Sequence, residues 1–241
     1  MSFKVSRHFR PKLLSTIALF LLAALFTSLG GWQTNRASEK LATEQLHLTA
    51  KNVSLESALQ QNLRFARVDI HGRYDPTRHV LLDNQVWKGR AGVHVFTPFY
   101  TSNGAAILVN RGWLPLAADR KTLPEVPTPM EDTSIKGMLN ILPVPGLAVG
   151  EPDSLQQDQW PQLVTYLNLE NIAESTQSKL EDWVVQLAPT DISGFQGRDW
   201  KPVFMSSDRH KAYAFQWFSL TTACIVLWLV ISFRKLSGNK P

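Results

Sequence analysis

The run from Ala214 to Phe233 contains no Asp, Glu, Lys, Arg or His. At ~1.5 Å rise per residue, about 20 such residues span a ~30 Å hydrocarbon core. The approach to it, Arg209-His210-Lys211-Ala212-Tyr213, turns a polar segment into an apolar one, with Tyr213 and Trp217 at the mouth. Tyr and Trp prefer the membrane–water interface, where an apolar ring carries a polar handle. His210 is the side chain in this neighbourhood able to ligate a metal.

A second uncharged run, Leu13–Leu29, follows a start that carries Lys4, Arg7, Arg10 and Lys12 and no acid. A cleaved signal peptide shares that basic start and apolar middle. This run is longer than a typical signal core, and Thr27-Ser28-Leu29 offers no small-x-small cleavage site. Trp32 reads as an interfacial anchor, so an uncleaved helix is expected. Beyond Phe233 come Arg234, Lys235 and Lys240. By the positive-inside rule both short basic ends face the cytoplasm and the centre lies outside. The expected organisation is a basic tail (1–12), a membrane helix (13–32), an external domain (33–209), a second membrane helix with an interfacial start (210–233) and a basic tail (234–241).

A chain of 241 residues leaves room for one ordinary soluble domain between the spans. The net charge of +5 gathers largely beside the apolar runs, so it reads as a topology signal and no nucleic-acid partner is expected. The single cysteine, Cys224, lies inside the second run, which excludes an internal disulfide and argues against a cysteine-based zinc site.

Gln33 to about Gln61 is polar and helix-friendly and reads as the first helix continuing outward, with Ser54 capping a short helix near Leu55–Gln61. From Arg64 the text turns β-like. Strands are expected around Phe65–Gly72, His79–Gln85, Gly92–Thr101, Ala105–Trp113, Ile135–Leu142, Trp183–Leu187 and Trp200–Phe204. Turn signals at Asp75-Pro76, Lys88-Gly89-Arg90 and Ser102-Asn103-Gly104 separate several of them, and Pro143-Val144-Pro145-Gly146 breaks another. Asn168 is placed to cap a helix over Leu169–Gln177. The class is therefore α+β, two membrane helices flanking an external domain dominated by an antiparallel sheet or small barrel.

Glycine patterns for phosphates or dinucleotides, the nucleophile elbow and His-Glu-x-x-His are all absent, so no enzyme is expected. His71, His79 and His94 read as half-buried surface residues, and Asp69, Asp75 and Asp83 as turn and edge residues. On a helix His210, Tyr213, Ala214, Trp217 and Thr221 share one face. Gln216, on the opposite side, is expected to hydrogen-bond to the first helix. Arg111 and Trp113 are expected on one face of their strand, with Gly112 permitting a bulge and Trp113 capping the core.

Three stretches are more specific: Gly31-Trp32-Gln33-x-x-Arg36, Leu82-Asp83-Asn84 continuing through Gly89, Gly92 and Thr97-Pro98-Phe99 to Asn110-Arg111-Gly112-Trp113-Leu114-Pro115, and His210-x-x-Tyr213-Ala214-x-Gln216-Trp217-Phe218. Together they resemble the Surfeit-locus/Shy family of cytochrome c oxidase assembly factors, in a bacterial member's form. Where the family often carries an Asn shortly before the His, Ser206-Ser207-Asp208-Arg209 stand here. The resemblance implies a non-enzymatic protein of the bacterial cytoplasmic (inner) membrane with a periplasmic centre. It implies binding of haem a and its transfer to the oxidase catalytic subunit, with a haem a synthesis enzyme as a further partner. It also implies His210 as an axial ligand of the haem iron, with Tyr213 and Trp217 as walls and Arg111 on a propionate or a docking surface. On the residues alone, an interfacial His210 with Tyr213 and Trp217 belting the interface is the favoured reading and a structural Arg111 stands beside the docking one, and a cofactor-free scaffold or sensory domain is the alternative function.

Overall fold

The computed structural model describes residues 7–143, 153–203 and 205–235. The expectations for Lys4, for Lys240, for Phe204 and for the Pro143–Gly146 break beyond Pro143 fall outside them. The chain order is β1 (Arg7–Phe9), α1 (Leu13–Leu48), α2 (Leu55–Gln60), β2 (Arg67–Tyr74), β3 (Val80–Trp87), β4 (Arg90–Thr101), β5 (Ala106–Pro115), β6 (Thr133–Ile141), β7 (Gln162–Val164), α3 (Leu169–Thr176), β8 (Leu180–Leu187), α4 (Ser207–Ser232) and β9 (Phe233–Lys235). Two compact units result, one from the two ends (Met1–Gln45 with Pro202–Pro241) and one from the middle (Leu46–Lys201).

In the first unit, α1 and α4 are each long and apolar enough to cross a membrane. The polar stretch from Gln33 continues α1 without a break as far as Leu48. Its 36 residues at ~1.5 Å each exceed the hydrocarbon thickness, so part of the helix stands in water or headgroups. The basic flanks, read from sequence only as tails, instead pair as a short antiparallel ladder of β1 with β9.

The middle unit is a closed five-stranded barrel. The ring runs β2–β6–β8–β5–β4 and back to β2, with β3 and then β7 added outside along β4. Alternation does the sorting: in β2, Val68, Ile70, Gly72 and Tyr74 point inward while Arg67, Asp69, His71 and Arg73 point out. Closure occurs where Gly72 faces Thr101, and a Cβ on Gly72 would sit 2.1 Å from the Tyr100 carbonyl oxygen. Only glycine lets the two backbones meet there. Phe99, Ile107, Val109, Ile135, Leu139 and Val185 fill the interior, and Leu55 and Ala58 of α2 join it. A second cluster outside the ring holds Phe96, Leu108 and Val184 with Ile172 of α3. Both short helices start as expected: Ser54 Oγ accepts from the Ser57 N–H (3.2 Å) and Asn168 Oδ1 from the Asn171 N–H (2.9 Å).

Two sequence expectations are corrected. Trp200–Val203 forms no strand; Trp200 is held instead by its indole N–H, which donates to the Leu187 carbonyl (2.8 Å). Strand β8 begins earlier, at Leu180, and pairs parallel to β5. Alternating hydrophobicity does not encode which neighbour a strand takes.

Arg111 is the third correction. In β5, Phe96 faces Asn110 and His94 faces Trp113, so Arg111 and Gly112 together stand opposite Val95 alone. Gly112 adopts φ +110°, which confirms the expected bulge. The bulge breaks the alternation that put Arg111 and Trp113 on a common face. Trp113 packs by Trp87, as a core residue, while Arg111 lies 4.7 Å from the ring centroids of both Tyr74 and Phe195. Arg111 is 1% exposed. Its Nε and Nη2 donate to the Ser193 carbonyl (2.9 and 2.7 Å), Nη2 also to the Pro127 carbonyl (2.8 Å), and Nη1 to Thr128 Oγ1 (2.7 Å). Burial lowers its pKa to about 10, partly opposed by Tyr74 and Asp191.

His79 lies deeper than expected, whereas His94 is half-buried as read. His79 is buried, with Nδ1 3.0 Å from Thr97 Oγ1 and Nε2 3.5 Å from Thr128 Oγ1. His94 sits edge-on to Trp200 with Nδ1 3.4 Å from Asn110 Nδ2. Burial, joined at His79 by the Arg111 charge, lowers each pKa to about 4. Asp75 behaves as read: its Oδ1 accepts from the Thr77 and Arg78 N–H groups in a turn.

Two outcomes follow from this core. Arg111→Ala strands buried carbonyls and opens a void, and is expected to destabilise the barrel by about 2–4 kcal/mol. A thermal melt of the purified protein checks it, and an unchanged midpoint would show that the guanidinium does not hold the loops. The pH dependence has a definite sign. Between about 6.5 and about 4 the unfolded histidines bind protons that the folded ones refuse, so stability falls as pH drops through that window. Melts from pH 7 to 4 should show that loss, and His79→Gln should make it shallower.

Candidate functional site

Helices α1 and α4 run antiparallel in one unit, and their contacts form a ladder. Trp228 Nε1 donates to Thr16 Oγ1 (3.1 Å). Higher up, Phe26 stacks on Trp217 with centroids 5.7 Å apart, and the Thr27 and Thr221 hydroxyls stand 3.5 Å apart. Gly30 lies under Phe218, where a Cβ would come within 2.7 Å of the ring. Small buried residues, Gly30 and Ala37 on α1 and Ala214 on α4, permit the close approach.

At the mouth, His210 Nδ1 is 2.7 Å from Gln33 Oε1. A carbonyl oxygen only accepts, so Nδ1 carries the hydrogen, and in the neutral ring that leaves the lone pair on Nε2. A neighbouring acceptor thus fixes the orientation of the His210 ring, which is itself buried at 7% exposure. One turn earlier, Glu44 of α1 accepts from the Ser207 N–H (3.1 Å) and from Ser207 Oγ (2.8 Å). A carboxylate from the partner helix thus caps the first turn of α4, where a negative charge also suits the helix dipole.

His210, Ala214, Trp217 and Thr221 therefore share the face toward α1, as the spacing predicts. Tyr213 does not join them fully, being 45% exposed. One face of Trp217 is taken by Phe26. The hydrogen bond to the first helix, expected from Gln216, is made by His210, and Gln216 lies exposed. Arg111 belongs to the barrel unit, where its guanidinium is engaged as described.

Sequence reasoning missed Gln33, Glu44 and Phe26. Gln33 stood inside the Gly31-Trp32-Gln33 motif, but pairing it with His210 requires the helix register, which a single helix does not display. Beside His210, Arg209 is exposed and Lys211 pairs with Asp208 (3.1 Å).

Among the described residues no three His, Cys, Asp or Glu side chains cluster to hold a bare metal ion. A haem brings four nitrogen ligands of its own and asks the protein for an axial donor, which one oriented imidazole can be. The mouth of α4 offers one such imidazole, on a histidine that is 7% exposed.

The sequence model of the SURF1 family matches residues 20–222. A SURF1-like protein of Rickettsia felis is 25% identical over 234 residues, covering 90% of this chain and 96% of its own length. Surfeit locus protein 1 of Takifugu rubripes is 23% identical over 244 residues, covering 90% and 97%. Surfeit locus protein 1 of Arabidopsis thaliana is 32% identical over a shorter stretch, 119 residues. The match runs from within the first membrane helix, across the whole barrel, and into the second, as the resemblance read from the motifs requires, and the chain belongs to the SURF1 family.

Proposed function

We propose that this protein is a membrane-anchored assembly factor for cytochrome c oxidase that holds haem a as cargo for the oxidase catalytic subunit. The observation that carries the reading is the His210–Gln33 hydrogen bond at the mouth of α4. It leaves Nε2 as a preset axial donor at the level where a macrocycle with an apolar tail and carboxylates divides between lipid and water. The haem would supply the iron. The chain supplies the imidazole, the tautomer set by Gln33, the exposed ring of Tyr213, and the cations Arg209 and Lys211 toward the propionates. Trp217, stacked on Phe26, acts here as a wall and a fixed point of the helix pair. A haem a synthesis enzyme is the partner such a carrier needs on the supply side. No side chain in this arrangement is required to do covalent chemistry, so we read the protein as a non-enzyme.

The test is haem per protein after purification from a strain that makes haem a. His210→Ala is expected to lose nearly all of it while still inserting, because the uncharged run from Ala214 is untouched. Gln33→Leu removes the acceptor that sets the tautomer and should lower retention about tenfold. Equal haem in wild type and His210→Ala would reject the ligand. Haem-free wild type would favour a cofactor-free scaffold.

The membrane reading places both ends in the cytoplasm and the barrel in the periplasm of a bacterial inner membrane. It is supported by the basic flanks and by the β1–β9 ladder, which brings the two ends together. An export-dependent phosphatase joined near Asn140 should be active, and one joined after Lys240 inactive. Activity at the second junction would overturn the two-span topology.

A further inference from the structure

Strands β2, β6 and β8 lie side by side in the barrel wall, and their register lines up outward-facing side chains in two rows. Arg67 stands opposite Met138, and Met138 opposite Gln186. Beside that row Asp69 stands opposite Lys136, and the Ala188 N–H donates to the Lys136 carbonyl (2.7 Å). The two rows floor a groove of about 870 Å³. Asn52, Val53 and Ser54 wall it on the β2 side, and Pro189 and Trp200 wall it beyond β8. All of these residues belong to the barrel unit. The Trp200 indole is pinned by its bond to the Leu187 carbonyl and by its edge contact with His94.

The chemistry along the first row is one-sided. Arg67 is exposed and enters no ion pair among the described residues, whereas Lys136 has the Asp69 carboxylate at 3.8 Å. Gln186 gives its Oε1 to Asn140 Nδ2 (3.1 Å), and no described hydrogen bond uses its Nε2. Guanidinium and amide nitrogen are both donors, and between them lies the half-buried thioether of Met138. A main-chain donor and acceptor stand at the rim. The Arg67 N–H donates to the Lys51 carbonyl (2.9 Å) and its carbonyl accepts from the Val53 N–H (3.1 Å), but at Ser54 the segment turns away to cap α2. Asp69 is the next residue to face that edge, and its main-chain N–H and carbonyl enter no described hydrogen bond.

We propose that this groove is a docking site for an extended polypeptide segment of a partner protein, one that carries an acidic side chain two or three positions from a large apolar one. The acid meets the Arg67 guanidinium, and the apolar side chain lies on Met138 against Trp200. Strand spacing sets the separation. Two steps of ~4.8 Å lie between Arg67 and Gln186, and an extended chain covers them in about three residues at ~3.3 Å each. The N–H and carbonyl of Asp69 serve a peptide group of the segment where it enters. A polypeptide is favoured over a small molecule because the groove is an open trough, with Asn52, Ser54, Arg67, Lys136 and Pro189 all exposed along it. Small-molecule sites enclose most of their ligand. The inference does not depend on the haem reading.

The experiment uses the full-length protein in mild detergent and a photoreactive probe. The probe is an acetylated and amidated six-residue alanine peptide with aspartate at its second position and para-benzoylphenylalanine at its fifth. After irradiation, cross-links are located by mass spectrometry and should concentrate on Met138 and its neighbours in the groove. The same peptide with asparagine for aspartate should cross-link about fivefold less, as should the aspartate peptide on Arg67→Gln, a change at an exposed side chain. The difference between the two peptides should vanish at about 0.5 M salt. Arg67→Glu should invert the preference and take a lysine peptide over the aspartate one. Equal labelling by the aspartate and asparagine peptides, or undiminished labelling of Arg67→Gln, would overturn the proposal. So would labels confined to α1 and α4, as partition into detergent gives. Labelling of the groove by para-benzoylbenzoate as strongly as by the peptide would also overturn it, and would assign the groove to a small aromatic acid.

Discussion

The helical unit depends on the close approach of α1 to α4. In hydrocarbon, lipid tails are as apolar as leucine, so two helices gain little by hiding apolar faces from each other. Shape and a few polar contacts must set the register. Gly30 under the Phe218 ring is the tightest of these contacts, since any side chain there would strike the ring. With that contact made, Gln33 meets His210 and Glu44 meets Ser207. The tautomer of the candidate ligand is therefore set by helix packing two turns away on α4. Packing faults at Gly30 should be felt at His210 without any change in its own chemistry.

The barrel faces a different problem. Its long irregular segments, around Pro127 and from Ala188 to Trp200, carry carbonyls that no strand ladder serves. Buried carbonyls need donors. Two arginines provide them. Arg111 reaches the Pro127 and Ser193 carbonyls, and Arg198 donates to those of Phe195, Ala188 and Asp191 (2.7, 2.6 and 2.7 Å). A guanidinium suits this because five N–H groups in a plane can serve several acceptors at once and its charge survives burial. Tyr74 beside Arg111 stays neutral, its pKa pushed up to about 12 mainly by burial. The apolar wall and the cation thus coexist without an ion pair.

Much of this was legible in the sequence. Uncharged runs with basic flanks identify membrane helices because lipid excludes charge. Period-two alternation in Arg67–Tyr74, the caps Ser54 and Asn168, and the bulge at Gly112 all rest on local chemistry. What failed was non-local. The bulge at Gly112 shifts the phase of β5 after Arg111, so Trp113 leaves the face that Arg111 shares with the interior residues Ile107 and Val109. The parallel pairing of β5 with β8 and the β1–β9 ladder depend on which distant segments meet. Gln33 and His210 are 177 positions apart, and neither carries a local mark of the other.

The same comparison separates family text that holds a fold from text that is left over for function. Asn110-Arg111-Gly112-Trp113 is the most specific stretch in the barrel, and each residue has a structural task. Asn110 Oδ1 accepts from the Gly112 N–H (3.1 Å), Gly112 turns the bulge, Arg111 serves the loops, and the Trp113 indole donates to the Gln85 carbonyl (3.0 Å). A group whose hydrogen-bonding capacity is taken up inside the fold is poorly placed to bind anything else. His210 divides its two nitrogens. Nδ1 is taken by Gln33, and none of the described hydrogen bonds uses Nε2. Loss of a barrel motif residue should therefore remove the protein, whereas loss of His210 should leave the protein and remove its chemistry.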